Sequence, residues 1–473
     1  MELTGLPNRS DCAAPAKRRR GVFRALAFAA AATATLFAGP SGPPPAQAQN
    51  RGLPVIRDTE IENLLRDYAA PILRAAGLAK QNVRVVVLND RAFNAFVMDG
   101  RHIFINAGAL FDAKTPNEII GVFAHETGHL AGGHLQRLRE QLSRAQTASI
   151  IGLLLGAGAA VAGGGNAGAA AIMAPQAAIQ RSLLAYVRTQ EDQADHAGVK
   201  FLTATHQSAR GMLELFKRLS NESLFNSRYV DPYLQSHPMP AERIAALEQI
   251  AKTSPYYDAK DSPALQARHD MMRAKLAGFL DRPDTVARRY PASDTSLPAR
   301  YARAIVAYRR SDIRNAIAQI DSLIQTQPGN PYFQELKGQA LLEAGRAGDA
   351  IGPLRHAVRL SNNAPLIQVM LAQALINSSG KQGAEEAVGL LNSALAREPN
   401  IPEAYDQLAM AYGRKGDLGR ADLAAAQAAL NRGDLMTARQ IAARAKGRLP
   451  VGSPPWVQAN DITDKPQPAN ARN

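Results

Sequence analysis

His125-Glu126-Thr127-Gly128-His129 fixes much of what must surround it. On a helix of about 3.6 residues per turn, positions 125 and 129 lie one above the other on one face. Both imidazoles then reach a single ion, the H-E-x-x-H arrangement that holds zinc. Glu126 projects beside them, placed to hold a water at the ion and take its proton. Thr115-Pro116-Asn117-Glu118 starts the helix: Thr115 suits the N-cap, Pro116 the first helical position, and Glu118 completes a capping box. The helix is expected to run to about Leu142, with Ile119, Ile120 and Phe123 on its buried side.

Two histidines leave a catalytic zinc one protein ligand short. A third histidine six positions beyond His129 would be residue 135, which is Leu135. His134 is one position short and, on a continuing helix, turned well away as a structural or solvent-facing residue. Glu191 is the better third ligand. It shares a helix face with Asp195 at i, i+4, so one carboxylate can bind the ion while the second accepts from a ligand histidine N–H. Ala194 keeps that helix close to its neighbour. The metal reading is therefore one Zn2+ per chain on His125, His129 and Glu191, with Asp195 behind them.

The motif is preceded by an amphipathic helix, in which Ile61, Leu64, Leu65, Tyr68 and Ile72 recur at helical spacing and Pro71 is expected to kink or end it. Val83–Leu88 reads as a strand. Phe93–Met98 and Arg101–Ile105 flank Asp99-Gly100 as a hairpin, with the strand at 101–105 expected to offer an edge to an extended substrate. Residues 145–180 carry no charged residue and read as a mobile apolar flap, with a spanning helix or a membrane-touching hairpin as the alternatives. A second long helix is expected from about Ala178 to Leu202. From about Leu297, Ala316, Ala350, Ala387 and Ala421 fall 34, 37 and 34 residues apart, each followed seven residues later by Leu323, Ala357, Ala394 or Ala428. That period resembles the tetratricopeptide repeat, a helix–turn–helix unit of about 34 residues whose small residues let stacked pairs share a core.

The first fifty residues read as a leader rather than as fold. Lys17-Arg18-Arg19-Arg20 precede an Ala-rich apolar run, and Ala46-Gln47-Ala48 is a small-x-small cleavage pattern. Cys12, the only cysteine in 473 residues, would leave with it, so no disulfide framework holds the mature chain. Residues 1–48 carry six Lys/Arg and two Asp/Glu, a net +4, so +10 of the formal +14 belongs to the remainder. No basic run is interleaved with aromatics, which argues against a nucleic-acid partner. The expected organisation is a signal peptide at 1–48, a metalloprotease domain at 49–252, a helical connector at 253–296, repeats at 297–450 and a tail at 451–473.

Asn94-Ala95-Phe96, the motif at 125–129, Glu191 with Ala194, Asp195 and Gly198, and Ser236-His237-Pro238 together resemble the HtpX-like and CAAX-prenyl-protease-like zinc metalloproteases. The leader and repeats make the chain most similar to their periplasmic BepA-like branch. The resemblance implies a mainly α fold with a small β-sheet, a gluzincin-like metalloprotease domain followed by a tetratricopeptide-repeat superhelix. It implies that Glu126 is the catalytic base and that His237 and Arg243 join the catalytic set, His237 as a latch over the metal. On its residues alone, His237 reads equally well as a turn histidine before proline. The resemblance further implies a periplasmic endopeptidase acting on unfolded or misassembled proteins, with the repeats contacting outer-membrane assembly machinery. A non-catalytic repeat scaffold or holdase with a structural or latched metal site is the alternative. An integral-membrane protease would need several apolar spans, and at most one weak candidate exists.

Overall fold

The computed structural model describes residues 54–146, 165–225 and 232–466. The leader, Cys12 and residues 147–164 of the apolar stretch lie outside them. Among the described residues, no helix is long and apolar enough to cross a membrane.

The first helix, Thr59–Ala75, is capped by Asp58, whose side chain accepts from the Ile61 N–H. It buries Ile61, Leu64, Leu65, Tyr68 and Ile72, the face expected from their spacing. Pro71 does not end it. The carbonyl left without an N–H partner is that of Asp67, on the exposed side, where water can take the missing bond.

A four-stranded sheet follows in the order β1-β2-β4-β3: β1 is Val55–Ile56, β2 Arg84–Leu88, β3 Ala95–Asp99 and β4 His102–Asn106. β2 and β4 are parallel, and β3 turns back on β4 through Asp99-Gly100 as an antiparallel hairpin. The strand expected to offer an edge is therefore interior. β4 is paired on both sides, and Ile103 and Ile105 are fully buried; the edge strands are β1, two residues long, and β3. A strand pattern predicts pairing partners poorly, because parallel pairing across a crossover depends on distant sequence.

The motif helix spans Pro116–Gly132. Thr115 occupies its N-cap, but no side-chain capping bond forms there. Glu118 instead accepts from the Lys114 N–H and pairs with Arg218, while Asp261, far along the chain, accepts from the Asn117 N–H at 2.9 Å. A tertiary carboxylate has displaced the local capping box. The helix also stops ten residues before Leu142. Gly133 at φ +62° ends it, and residues 134–146 form a separate helix.

The partner helix runs Gly165–Ala204 and starts earlier than expected. Helices Arg210–Phe225, Pro232–Ser236 and Ala241–Lys252 complete this half, with Met212, Phe216, Tyr233 and Leu247 in one apolar core with the first helix and the sheet.

Helix Pro263–Leu280 belongs to two cores at once. Met272, Leu276 and Ala277 join the core just described, while Met271 and Ala274 join that of the first repeat helices. Antiparallel pairs then stack in order: Leu297–Arg309 with Ile313–Thr326, Pro331–Glu343 with Ala347–Leu360, Pro365–Ser378 with Gly380–Arg397, and Pro402–Lys415 with Leu418–Asn431. Ala316, Ala350 and Ala387 are fully buried at the crossings and Ala421 is half-buried. Asp417 caps the second helix of its pair and Asp434 caps Leu435–Lys446. The expected tail is, over Pro454–Asp464, another helix, with Ala459 and Ile462 buried against Leu423 and Ala442. Ser453 and Pro454 supply its start.

A buried ionic cluster joins the two halves. Lys275 Nζ lies 2.6 Å from Asp58, 3.2 Å from Glu60 and 3.9 Å from Glu335, and Tyr301 donates to Glu60. One ammonium faces three carboxylates, and burial pushes the Glu335 carboxyl up to about 8 from 4.5, against the pull of Lys275. A carboxyl raised on folding stabilises the native state below its unfolded pKa, and that contribution is lost as pH rises through the folded value. Wild-type unfolding free energy is expected to fall between about pH 5 and pH 8, and Glu335→Gln should flatten that fall. Denaturant titrations across this range check it; an unchanged slope in the variant refutes the assignment.

Candidate metal centre

Gly128 sets the distance between the two helices that build the site. A methyl group there would lie 2.8 Å from the Ala194 carbonyl oxygen and 2.9 Å from its Cα. Both are backbone atoms of the long helix and cannot swing aside. Without a side chain at 128, and with only a methyl at 194, the motif helix and the Glu191 helix come within van der Waals reach.

That contact brings the predicted residues together. His125 Nε2 and His129 Nε2 are 3.0 Å apart, and the Glu191 carboxylate oxygens sit 3.4 Å from each of them. His237, just after the short helix Pro232–Ser236, adds its Nδ1 at 3.3 Å from His125 Nε2 and 3.1 Å from Glu191. The donor atoms of these four residues lie within 4.8 Å of one another. Glu126 is buried with its Oε1 3.5 Å from His237 Nε2 and without a hydrogen-bond partner among the described residues.

The donor set fits a divalent cation. His125 Nδ1 lies 2.9 Å from Asp195 Oδ1, so its proton is used there and its Nε2 presents a lone pair to the site. Two imidazole nitrogens and a carboxylate facing one point satisfy one another poorly by hydrogen bonds and well through an ion with nitrogen and oxygen ligands.

Arg243 does not reach toward open space. Its Nε donates to Asp195 at 2.7 Å and its Nη1 lies 2.8 Å from Glu191, with the guanidinium almost wholly buried. It anchors the carboxylates that in turn hold the imidazoles. Two residues that spacing did not single out wall the site: Phe216 meets the His125 ring edge-on at 5.6 Å, and the Tyr233 ring lies 4.6 Å from that of His237. Nothing in their local sequence distinguishes them from other core aromatics. His134 departs from expectation. The break at Gly133 returns its ring to within 5.0 Å of His129 rather than turning it away.

The charges follow from this packing. Burial opposes ionisation of Glu191, but His237 and His125 overcome it and hold the carboxyl far below the usual range. Asp195 is lowered too, with Arg243 and His125 outweighing burial. Burial acts to lower His125, yet Asp195 and Glu191 push it up to about 9, so a cation binding at Nε2 would displace a proton from it. His129 is held well below 6.5 by burial and by His125. Glu126 is raised by burial, with His237 and His125 pulling the other way. A carboxylate that resists ionisation beside ligands that accept a cation suits a general base.

A helix pair with this donor set and a buried acid beside it defines a metal-dependent peptidase site. Residues 56–251 match the peptidase family M48. The chain is also 24% identical over 408 residues to the beta-barrel assembly-enhancing protease of Yersinia pestis, covering 85% of this chain and 82% of that protein. The protein of the same name from Escherichia coli K12 is 24% identical over 415 residues, covering 84% and 77%. A putative beta-barrel assembly-enhancing protease of Vibrio cholerae is 28% identical over 286 residues, covering 59% and 58%.

Removing Arg243 strands two buried carboxylates. Arg243→Met is expected to cost about 3–5 kcal/mol of unfolding free energy in the presence of chelator. Added divalent cation should recover part of that loss, since it restores positive charge at the same place. Urea unfolding with and without metal measures both; a loss below about 1 kcal/mol would show that the ion pairs contribute little.

Proposed function

We propose that the chain is an exported zinc endopeptidase that degrades misfolded envelope proteins and assists the assembly of outer-membrane proteins. The observation that carries the catalytic part is the convergence of His125, His129 and Glu191 on one point with Glu126 beside it. In this reading those three residues hold the zinc, Asp195 orients His125, and Arg243 fixes Glu191 and Asp195. We take 49–252 as the protease domain, 253–296 as its connector and 297–450 as the repeat domain.

When bound, the zinc supplies Lewis acidity, polarising the scissile carbonyl and easing deprotonation of the attacking water. Glu126 takes that proton and passes it to the departing amine, so that one water is consumed and one peptide bond is split into an acid and an amine. An extended substrate adds along β3, the edge strand that packs against the motif helix. Backbone pairing of that kind selects unfolded chain over particular sequence, which suits a protease that clears misassembled proteins. The beta-barrel assembly after which these relatives are named supports the envelope role. The repeats are the surface proposed to contact the assembly machinery, and the expected leader places the protein in the periplasm. A peripheral membrane contact through 145–180 belongs to the same reading.

His237 favours a second reading. Structural zinc sites are closed, whereas catalytic ones keep a position for water. Here His237 fills the remaining side, touching both Glu191 and the space beside Glu126. In this second reading His237 latches the site, and a protein locked this way would act as a scaffold or holdase.

Glu126→Gln is expected to keep its zinc and its fold while casein cleavage falls by at least about a hundredfold. His237→Ala should raise cleavage, and chelation should abolish it in both wild type and His237→Ala. Chelator-resistant cleavage, or full activity in Glu126→Gln, refutes the enzyme mechanism. Zinc-loaded chain that stays inert even as His237→Ala supports the scaffold.

A further inference from the structure

Gly132-Gly133-His134 has no part in the scheme so far. His134 is only 3% exposed, although it follows a helix end. The chain turns there through Gly133 at φ +62°, and the imidazole folds back into the space that a side chain at 132 would occupy: a methyl at Gly132 would sit 2.2 Å from His134 Nε2. The turn is tied to the other helix as well: Gln190, the residue before Glu191, donates from its Nε2 to the His134 carbonyl oxygen at 3.4 Å.

The ring so placed meets His129 at a particular atom. His129 Nε2 faces the site, so in a metal-binding tautomer its proton sits on Nδ1 and needs an acceptor. His134 Nδ1 lies 3.0 Å from His129 Nδ1. Two protonated nitrogens at that distance would repel, and two bare ones would form no bond. One must donate and the other accept. His125 has an anionic acceptor in Asp195, whereas among the described residues no carboxylate hydrogen-bonds to His129 Nδ1.

We propose that His134 is the positioning residue of the second metal-binding histidine: its Nδ1 accepts the Nδ1–H of His129, fixing the tautomer that leaves Nε2 open to the cation. Its own proton then lies on Nε2, on the side of Gly132. The two imidazole ligands are thus oriented differently, one by a carboxylate and one by a neutral imidazole. The inference rests on the proposed zinc site.

The test compares zinc affinity, by chelator competition on the full chain, in wild type, His134→Phe and His134→Asn. Phe keeps a ring of similar size without an acceptor; the Asn amide oxygen can stand where Nδ1 stood. Phe is expected to weaken zinc binding about tenfold to hundredfold, while Asn stays within about threefold of wild type, as acceptor rescue requires. Equal affinity in Phe, or equal loss in Phe and Asn, overturns the assignment, the second outcome pointing to ring volume alone. Wild type that holds no zinc sinks the metal site itself and this inference with it. Nitrogen-15 NMR of histidine-labelled, zinc-loaded wild type needs no variant to fold. A proton on His129 Nδ1 coupled to His134 Nδ1 is expected, and a proton on His134 Nδ1 instead overturns the proposal.

Discussion

Two helices can place three side chains on one ion only if their backbones come unusually close, and the contact between Gly128 and Ala194 provides that closeness. Further along the seam, a Cβ at Gly198 would lie 3.3 Å from the Ala124 carbonyl carbon, a looser approach than at Gly128. A wider spacing would carry Glu191 away from the imidazoles, because a carboxylate on a short stem cannot span another helix radius. The small residues on this seam therefore matter more to the chemistry than any of the large apolar side chains in the surrounding core.

Close approach has an electrostatic consequence. It concentrates Glu126, Glu191, Asp195, Arg243 and several imidazoles in a volume from which water is excluded. Such a group is stable only when each charge has a partner, and the partners form a chain: Arg243 holds Asp195 and Glu191, Asp195 holds His125, and His134 meets His129. Glu126 Oε1 is left without a hydrogen bond among the described residues, with His237 Nε2 3.5 Å away. The residue proposed as the base thus carries a carboxylate oxygen that the surrounding network does not hydrogen-bond.

The repeats are coupled to this half by more than a linker. Helix Pro263–Leu280 contributes to both cores, and the Lys275 cluster draws Asp58 and Glu60 at the start of the first helix to Glu335 of the second repeat pair. Arg57 also reaches Glu398, far along the repeats. A partner that shifts the repeats would thus pull on the helix packed beneath the sheet rather than on a free tether.

Short-range periodicity was readable from residues alone. The i, i+4 imidazoles, the Glu191–Asp195 face, the Asp99-Gly100 hairpin and the alanine spacing of the repeats all follow from helix and strand geometry acting over a few residues. Gly132-Gly133 was an available signal for a helix end that a continuous reading passed over, and with it the position of His134. What only the tertiary structure decided involves partners distant in sequence. β4 is interior because a parallel strand pairs on its far side, Asp261 supplants the local cap at Asn117, and Tyr233 and Phe216 wall the site. The reason is the same in each case: local pattern fixes which face a residue occupies, while the energy of close packing and of pairing buried charge fixes which face it meets.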